Sequence, residues 1–133
     1  LYVFAKDHEV GVDLEEVKPL DNCLDIAQGF FSVLEATNLN AMQPAKRLES
    51  FYKCWVRKES VIKAMGYGLS FPLDQFTVSF ADNTPARIVD LQTDDYINNK
   101  EWGLYSIDTI PGYQAAVTVI GPGVDLIFKQ FIY

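Results

Sequence analysis

One stretch constrains the fold of this 133-residue chain more than any other: Pro44 to Met65, which reads as a single long helix. Proline is tolerated in a first helical turn, where its missing N–H has no partner to lose. Gly66, directly after Met65, can close the helix in a left-handed cap. At about 100° per residue, Phe51, Cys54, Trp55, Val61, Ile62 and Met65 share one broad arc, the predicted core face. Tyr52, Glu59 and Lys63 fall together on its flank. Lys58 falls inside the apolar arc, where a charge is expensive unless its head escapes, so a snorkelling side chain is expected.

The segments around this helix are shorter. Leu1–Ala5 is rich in β formers, Lys6–Asp7–His8 is turn-like, and Val10–Glu15 resumes as a strand, so the two runs predict a hairpin. Pro19 to Asn22 breaks the chain, and Asp21 or Asn22 can cap a helix running to about Phe30. Ser32-x-x-Glu35 is a capping box for a second short helix. The second half is β-rich: Gln75–Phe80 alternates, Asp82–Pro85 turns, Trp102–Thr109 alternates, Pro111–Gly112 turns, and Gln114–Ile120 is a strand. Gly121–Pro122–Gly123 turns again before a last predicted strand, Val124–Tyr133. Strands at both ends with helices grouped between them predict an α+β fold, an antiparallel sheet packed against the long helix and the shorter ones.

Composition narrows the class. Hydrophobic residues are 49% and charged residues 22%, ordinary for one globular domain spanning residues 1–133. No apolar run approaches the roughly 18 residues of a membrane helix. A formal charge of −7 argues against direct binding of nucleic-acid backbone. Cys23 and Cys54 have no metal spacing and read as buried free thiols in a reducing, cytoplasmic setting. His8 has no Ser or Cys partner for a triad and reads as a surface residue. The chain opens inside an apolar run without Met, which suggests a fragment.

Three carboxylates stand out. Asp13 and Glu15 are two apart on a predicted strand, so their side chains share a face. Like charges that close repel, and a cation between them helps; oxygen ligands suit Mg²⁺. Gly11 just before them removes a side chain where a ligand could need close backbone approach. The plainer reading is a solvated Asp-x-Glu on an exposed strand. Glu59 lies beside Trp55 and one turn before Lys63. These two form either an ordinary i,i+4 pair, worth about 0.2–0.5 kcal/mol, or a third metal ligand beside a phosphate-binding ammonium.

Taken together the residues form a known pattern. The run Phe51 to Leu69, with Trp55–Val56–Arg57–Lys58–Glu59–Ser60, Lys63 and Gly66–Tyr67–Gly68, resembles the signature of 4′-phosphopantetheinyl transferases. That signature reads aromatic, Trp-x-x-Lys-Glu-Ser/Ala, a Lys three residues after the Ser, then Gly-x-Gly. Gly11–Val12–Asp13–Leu14–Glu15 resembles the family's upstream Gly-Val/Ile-Asp-x-Glu, and Phe30 to Glu35 its Phe-Ser/Ala-x-x-Glu. The Trp-x-x-Lys-Glu-Ser form is similar to the surfactin-synthetase type rather than the short trimeric type.

The resemblance implies an enzyme of two similar lobes with coenzyme A between them. This chain would be the C-terminal lobe, working with a missing N-terminal lobe or a second copy. Asp13, Glu15 and Glu59 would hold Mg²⁺ against the pyrophosphate of CoA, and Lys63 would bind the phosphates and neutralise the departing 3′,5′-ADP. The nucleophile would be a serine of an acyl or peptidyl carrier protein, its proton taken by Glu59 or a metal-bound water. Trp55 would pack beneath the helix and aim Glu59, and Gly66 and Gly68 would shape the following loop. Ser60 would be an exposed helical serine or a donor near the phosphates. The segments Val17–Asp25 and Leu39–Ser50 could meet the carrier. A silent carrier-binding or assembly lobe is the alternative, and a Mg²⁺-dependent phosphohydrolase using the same carboxylates is a third reading.

Overall fold

The computed structural model describes residues 1–91 and 101–130. Its elements are β1 (Glu9–Glu16), α1 (Cys23–Phe30), α2 (Val33–Ala41), α3 (Pro44–Met65), β2 (Phe76–Val78), β3 (Ile88–Leu91), β4 (Trp102–Ser106) and β5 (Tyr113–Ile120). The fold is α+β with antiparallel pairing throughout, as the element pattern predicts.

The main sheet has the order β1-β5-β4. β5 takes the centre because it can be buried on both faces: every residue from Ala115 to Ile120 is out of solvent. β1 pairs with it from Glu9↔Ile120 to Glu16↔Tyr113. The pairing corrects the expected N-terminal hairpin. Leu1–Ala5 forms no strand, and Leu1, Tyr2 and Phe4 stay exposed. The pairing of β1 with β5, about a hundred residues away, has no local sequence signal. Residues 124–130 of the last predicted strand are also irregular, and its residues 131–133 lie outside the described residues. β2 and β3 form a separate hairpin with a register shift between Thr77 and Val78; β3 is a strand that pattern reading did not supply.

α3 spans Pro44 to Met65 as read, with Gly66 at φ 76° donating its N–H to the carbonyls of Ile62 and Lys63. Ser32 and Glu35 make both halves of the capping box that starts α2. The helix packs on β1, β5 and β4 with one side and on α1, α2 and β2 with the other. It is therefore buried nearly all round between Val56 and Ile62, well beyond the predicted apolar arc. Phe31, Phe51 and the half-buried Trp55 stack in one aromatic cluster with centroids 5.2–6.1 Å apart. Each such pair adds about 0.5–1.5 kcal/mol beyond its buried area.

Three expectations for this layer change. Lys58 does not snorkel: it is fully buried and meets Glu35, the Phe76 carbonyl and the Phe76 ring. Ser60 is not exposed; its hydroxyl donates to the Arg57 carbonyl and meets Thr118 Oγ1 at 2.7 Å. At Gly11 the close backbone approach is made by α3. A Cβ there would lie 2.2 Å from the Ser60 carbonyl oxygen and 2.4 Å from the Ala64 nitrogen. Cys23 and Cys54 are buried free thiols, as expected.

Candidate functional site at the junction of β1 and α3

Register explains why the sequence-selected residues meet. Gly11 stands opposite Thr118, and Asp13 opposite Ala116. Thr118 touches Ser60 of α3, so Gly11, Asp13 and, by the two-residue period, Glu15 face that helix. The close backbone approach at Gly11 presses β1 against the Ser60–Ala64 turn. Glu59 and Lys63, one helical turn apart on the flank of α3, then border Asp13.

The contacts are specific. Lys63 Nζ donates to Asp13 Oδ1 at 2.7 Å and to the Val12 carbonyl at 3.2 Å. The Asp13 side chain is only 8% exposed, while that of Lys63 is 48% exposed. Asp13 Oδ2 is buried without a hydrogen-bond partner. Burial pushes the Glu59 carboxyl above the ordinary carboxylate value; the charges of Asp13 and Glu15 push the same way and Lys63 opposes them. Glu15 is raised too, first by burial and then by Asp13, with Lys63 and Lys18 opposing. The four groups thus share one electrostatic environment. Among the described residues, however, no three acidic, His or Cys side chains stand together in metal-ligating geometry. Lys63 holds one oxygen of Asp13 instead.

The remaining sequence-selected residues fall around this junction. Trp55 packs into the Phe31–Phe51 cluster, and Gly66 and Gly68 both adopt positive φ, 76° and 61°. Gly68 opens a single 3-10 turn, Gly68–Ser70. His8 is partly buried, with its ring so close to Gly121 that a Cβ there would lie 2.3 Å from His8 Nδ1.

A buried polar network behind the site has only a faint sequence signal. Glu35 accepts from Lys58 Nζ at 2.8 Å, from the Val78 N–H at 2.7 Å and from the Ser32 N–H at 2.9 Å. It joins α2, β2 and α3 one residue before Glu59. Burial lowers the Lys58 ammonium, while Glu35 works to keep it charged. Burial also pushes the Cys54 thiol well up, aided by the neighbouring Glu35. Arg57 is buried as well, bonded to the Ser79 carbonyl and Ser106 Oγ. A lysine inside an apolar arc together with a glutamate in a Phe-Ser-x-x-Glu run was the available clue.

Residues 9–118 match the family model described as the 4′-phosphopantetheinyl transferase superfamily. The chain belongs to that superfamily. Curated relatives include the 4′-phosphopantetheinyl transferase Sfp of Bacillus subtilis, 37% identical over 115 residues, covering 85% of this chain and 47% of that protein. The transferase psf-1 of Bacillus pumilus is 39% identical over 119 residues, covering 87% and 47%. The chain spans about half the length of these relatives. Both agree with the surfactin-synthetase type read from Trp55 to Ser60.

Solved structures share the superfamily fold. A holo-(acyl-carrier-protein) synthase of Bacillus anthracis in complex with CoA (3′,5′-ADP) superposes with a TM-score of 0.67 at 16% identity, covering 84% of this chain and 94% of that one. The Helicobacter pylori holo-[acyl-carrier-protein] synthase in complex with coenzyme A gives 0.66 at 18%, covering 84% and 99%. Among the described residues no helix is long and apolar enough to cross a membrane.

Proposed function

We propose that this chain is the metal-binding lobe of a 4′-phosphopantetheinyl transferase, which moves 4′-phosphopantetheine from coenzyme A to a serine of an acyl or peptidyl carrier protein. The observation that carries this reading is the contact of Lys63 on α3 with Asp13 on β1, with Glu15 and Glu59 in the same electrostatic environment, in a member of this superfamily. The donor chemistry suits a hard divalent cation: the acidic groups offer only carboxylate oxygens, and Asp13 Oδ2 is buried without a partner while Lys63 holds Oδ1. Asp13, Glu15 and Glu59 would hold Mg²⁺. Bound there, the ion supplies charge stabilisation on the non-bridging oxygens of a phosphoryl group in transfer.

The chain's own residues supply the rest. Lys63, half exposed on a flexible stem, can reach a phosphate beside Asp13 and neutralise the departing 3′,5′-ADP. The carrier serine oxygen attacks the phosphorus that bears pantetheine, the bond to 3′,5′-ADP breaks, and Glu59 accepts the serine proton. A carboxylate pushed up by burial is a better base for that step. The N-terminal lobe of the family, or a second copy of this chain, would complete the CoA site. Buried free thiols support a reducing, cytoplasmic setting.

Incubating the intact protein with apo carrier, CoA and Mg²⁺ should add one phosphopantetheine mass to the carrier. Absence of that gain across fatty-acid, polyketide and peptide carriers would count against transfer. One observation favours a second reading, a catalytically silent carrier-binding or assembly lobe: among the described residues no three acidic side chains stand together in metal-ligating geometry. Carrier binding without mass gain would select it.

A further inference from the structure

We propose that Lys63 is the resident counter-ion of Asp13, and that a divalent cation drawn to Asp13 takes the place of the Lys63 ammonium on Oδ1. This deepens the metal-binding reading and rests on it. The observation is the 2.7 Å bond from Lys63 Nζ to Asp13 Oδ1, with the same ammonium also on the Val12 carbonyl.

The two partners differ in their freedom to leave. Asp13 is packed against α3 with 8% of its side chain exposed, so it cannot turn to water. Lys63 is 48% exposed on a four-carbon stem and can swing away with its head still hydrated. The ammonium satisfies Oδ1 and leaves Oδ2 orphaned. Three carboxylates against one ammonium also leave the cluster at a formal charge of −2, which one lysine cannot neutralise. A divalent ion restores that balance and can bond oxygens that the lysine does not reach. On displacement the ammonium is released beside the cation, where a pyrophosphate would bind. Metal entry and phosphate binding by Lys63 are therefore linked: a ligand that draws Lys63 off Asp13 must tighten metal binding by the same factor that the metal tightens that ligand.

The test is Mn²⁺ binding to the CoA-free protein, read from the electron paramagnetic resonance signal of free Mn²⁺, a hard oxygen-seeking stand-in for Mg²⁺. Removing a competing charge in direct contact should tighten Mn²⁺ binding roughly tenfold or more in Lys63→Met. Lys63→Ala should do the same. Lys18→Met is the control, because Lys18 acts on Glu15 through its field. It should change affinity by no more than about twofold. In lysine ¹⁵N spectra, the Lys63 ammonium signal of the unaltered protein should shift as Mg²⁺ saturates the site. Equal affinity in Lys63→Met and the unaltered protein, with Asp13→Asn weakening both, overturns the displacement and leaves the metal site standing. An equal gain in Lys18→Met also overturns it, because a general field then accounts for the effect. Mn²⁺ affinity indifferent to Asp13→Asn in every background overturns the metal-binding reading and this inference with it.

Discussion

Lys58 Nζ lies 2.8 Å from each carboxylate oxygen of Glu35, and neither side chain touches solvent. The pair stands one residue from Glu59 and ties α3 to the start of α2 and to β2. Breaking a buried pair strands a charge, and this typically costs about 3–5 kcal/mol. Glu35→Gln and Lys58→Met should each lose about that much in urea unfolding, while the double variant Glu35→Leu/Lys58→Met should recover a substantial part. Additive losses would show that the two side chains do not act as a pair.

Gly11→Ala should destabilise the protein through backbone collision rather than lost flexibility. The new Cβ meets the Ser60 carbonyl and the Ala64 nitrogen, neither of which can rotate away. Overpacking of this kind costs about 1–3 kcal/mol and can cost more. Calorimetry should show a lower melting temperature, with CoA-dependent activity falling as β1 and α3 separate. Gly29→Ala is the control, because no atom lies within 4 Å of a Cβ at Gly29. An unchanged melting temperature in Gly11→Ala would refute the close approach.

Glu59 and Glu15 make stability depend on pH. Both carboxyls are raised in the fold above the ordinary value of 4.5, chiefly by burial and then by Asp13. The folded protein therefore favours their protonated forms. Their contribution is fully present below the unfolded value and is lost as pH rises through the folded values. In EDTA, Glu59→Gln should be more stable than the unaltered protein at about pH 7, and the difference should close near about pH 4. A gap that stays constant over that range would mean that the carboxyl is not perturbed.

Activity should fall where stability does not. Asp13→Ala and Glu59→Gln in the intact protein should reduce phosphopantetheine transfer on the order of 10²-fold or more. Both should keep the circular dichroism and cooperative unfolding of a folded protein, with Glu59→Gln no less stable than the unaltered protein. Full activity in either variant would remove that residue from the reaction.

Much of the architecture could be read locally. Pro44 and Gly66 bound α3, and Ser32 with Glu35 starts α2, because caps act within a turn of the chain. The failures share a physical origin. Leu1–Ala5 has strand propensity but no strand beside it, and β1 instead finds β5 across the length of the chain. Ser60 reads as exposed and Lys58 as snorkelling until layers cover both sides of their helix.

Residue identity and fixed backbone periods were enough for the family, the three helices, the capping box of α2, the Gly66 cap of α3 and the shared face of Asp13 and Glu15; the Asn22 side chain expected to cap α1 makes no capping bond. What each charge touches was settled by packing between elements. Long-range pairing of β1 with β5, and the contact of Gly11 with α3, set Lys63 on Asp13 and seal Lys58 against Glu35. Side-chain partners across elements depend on register and burial, and neither is encoded at any one position.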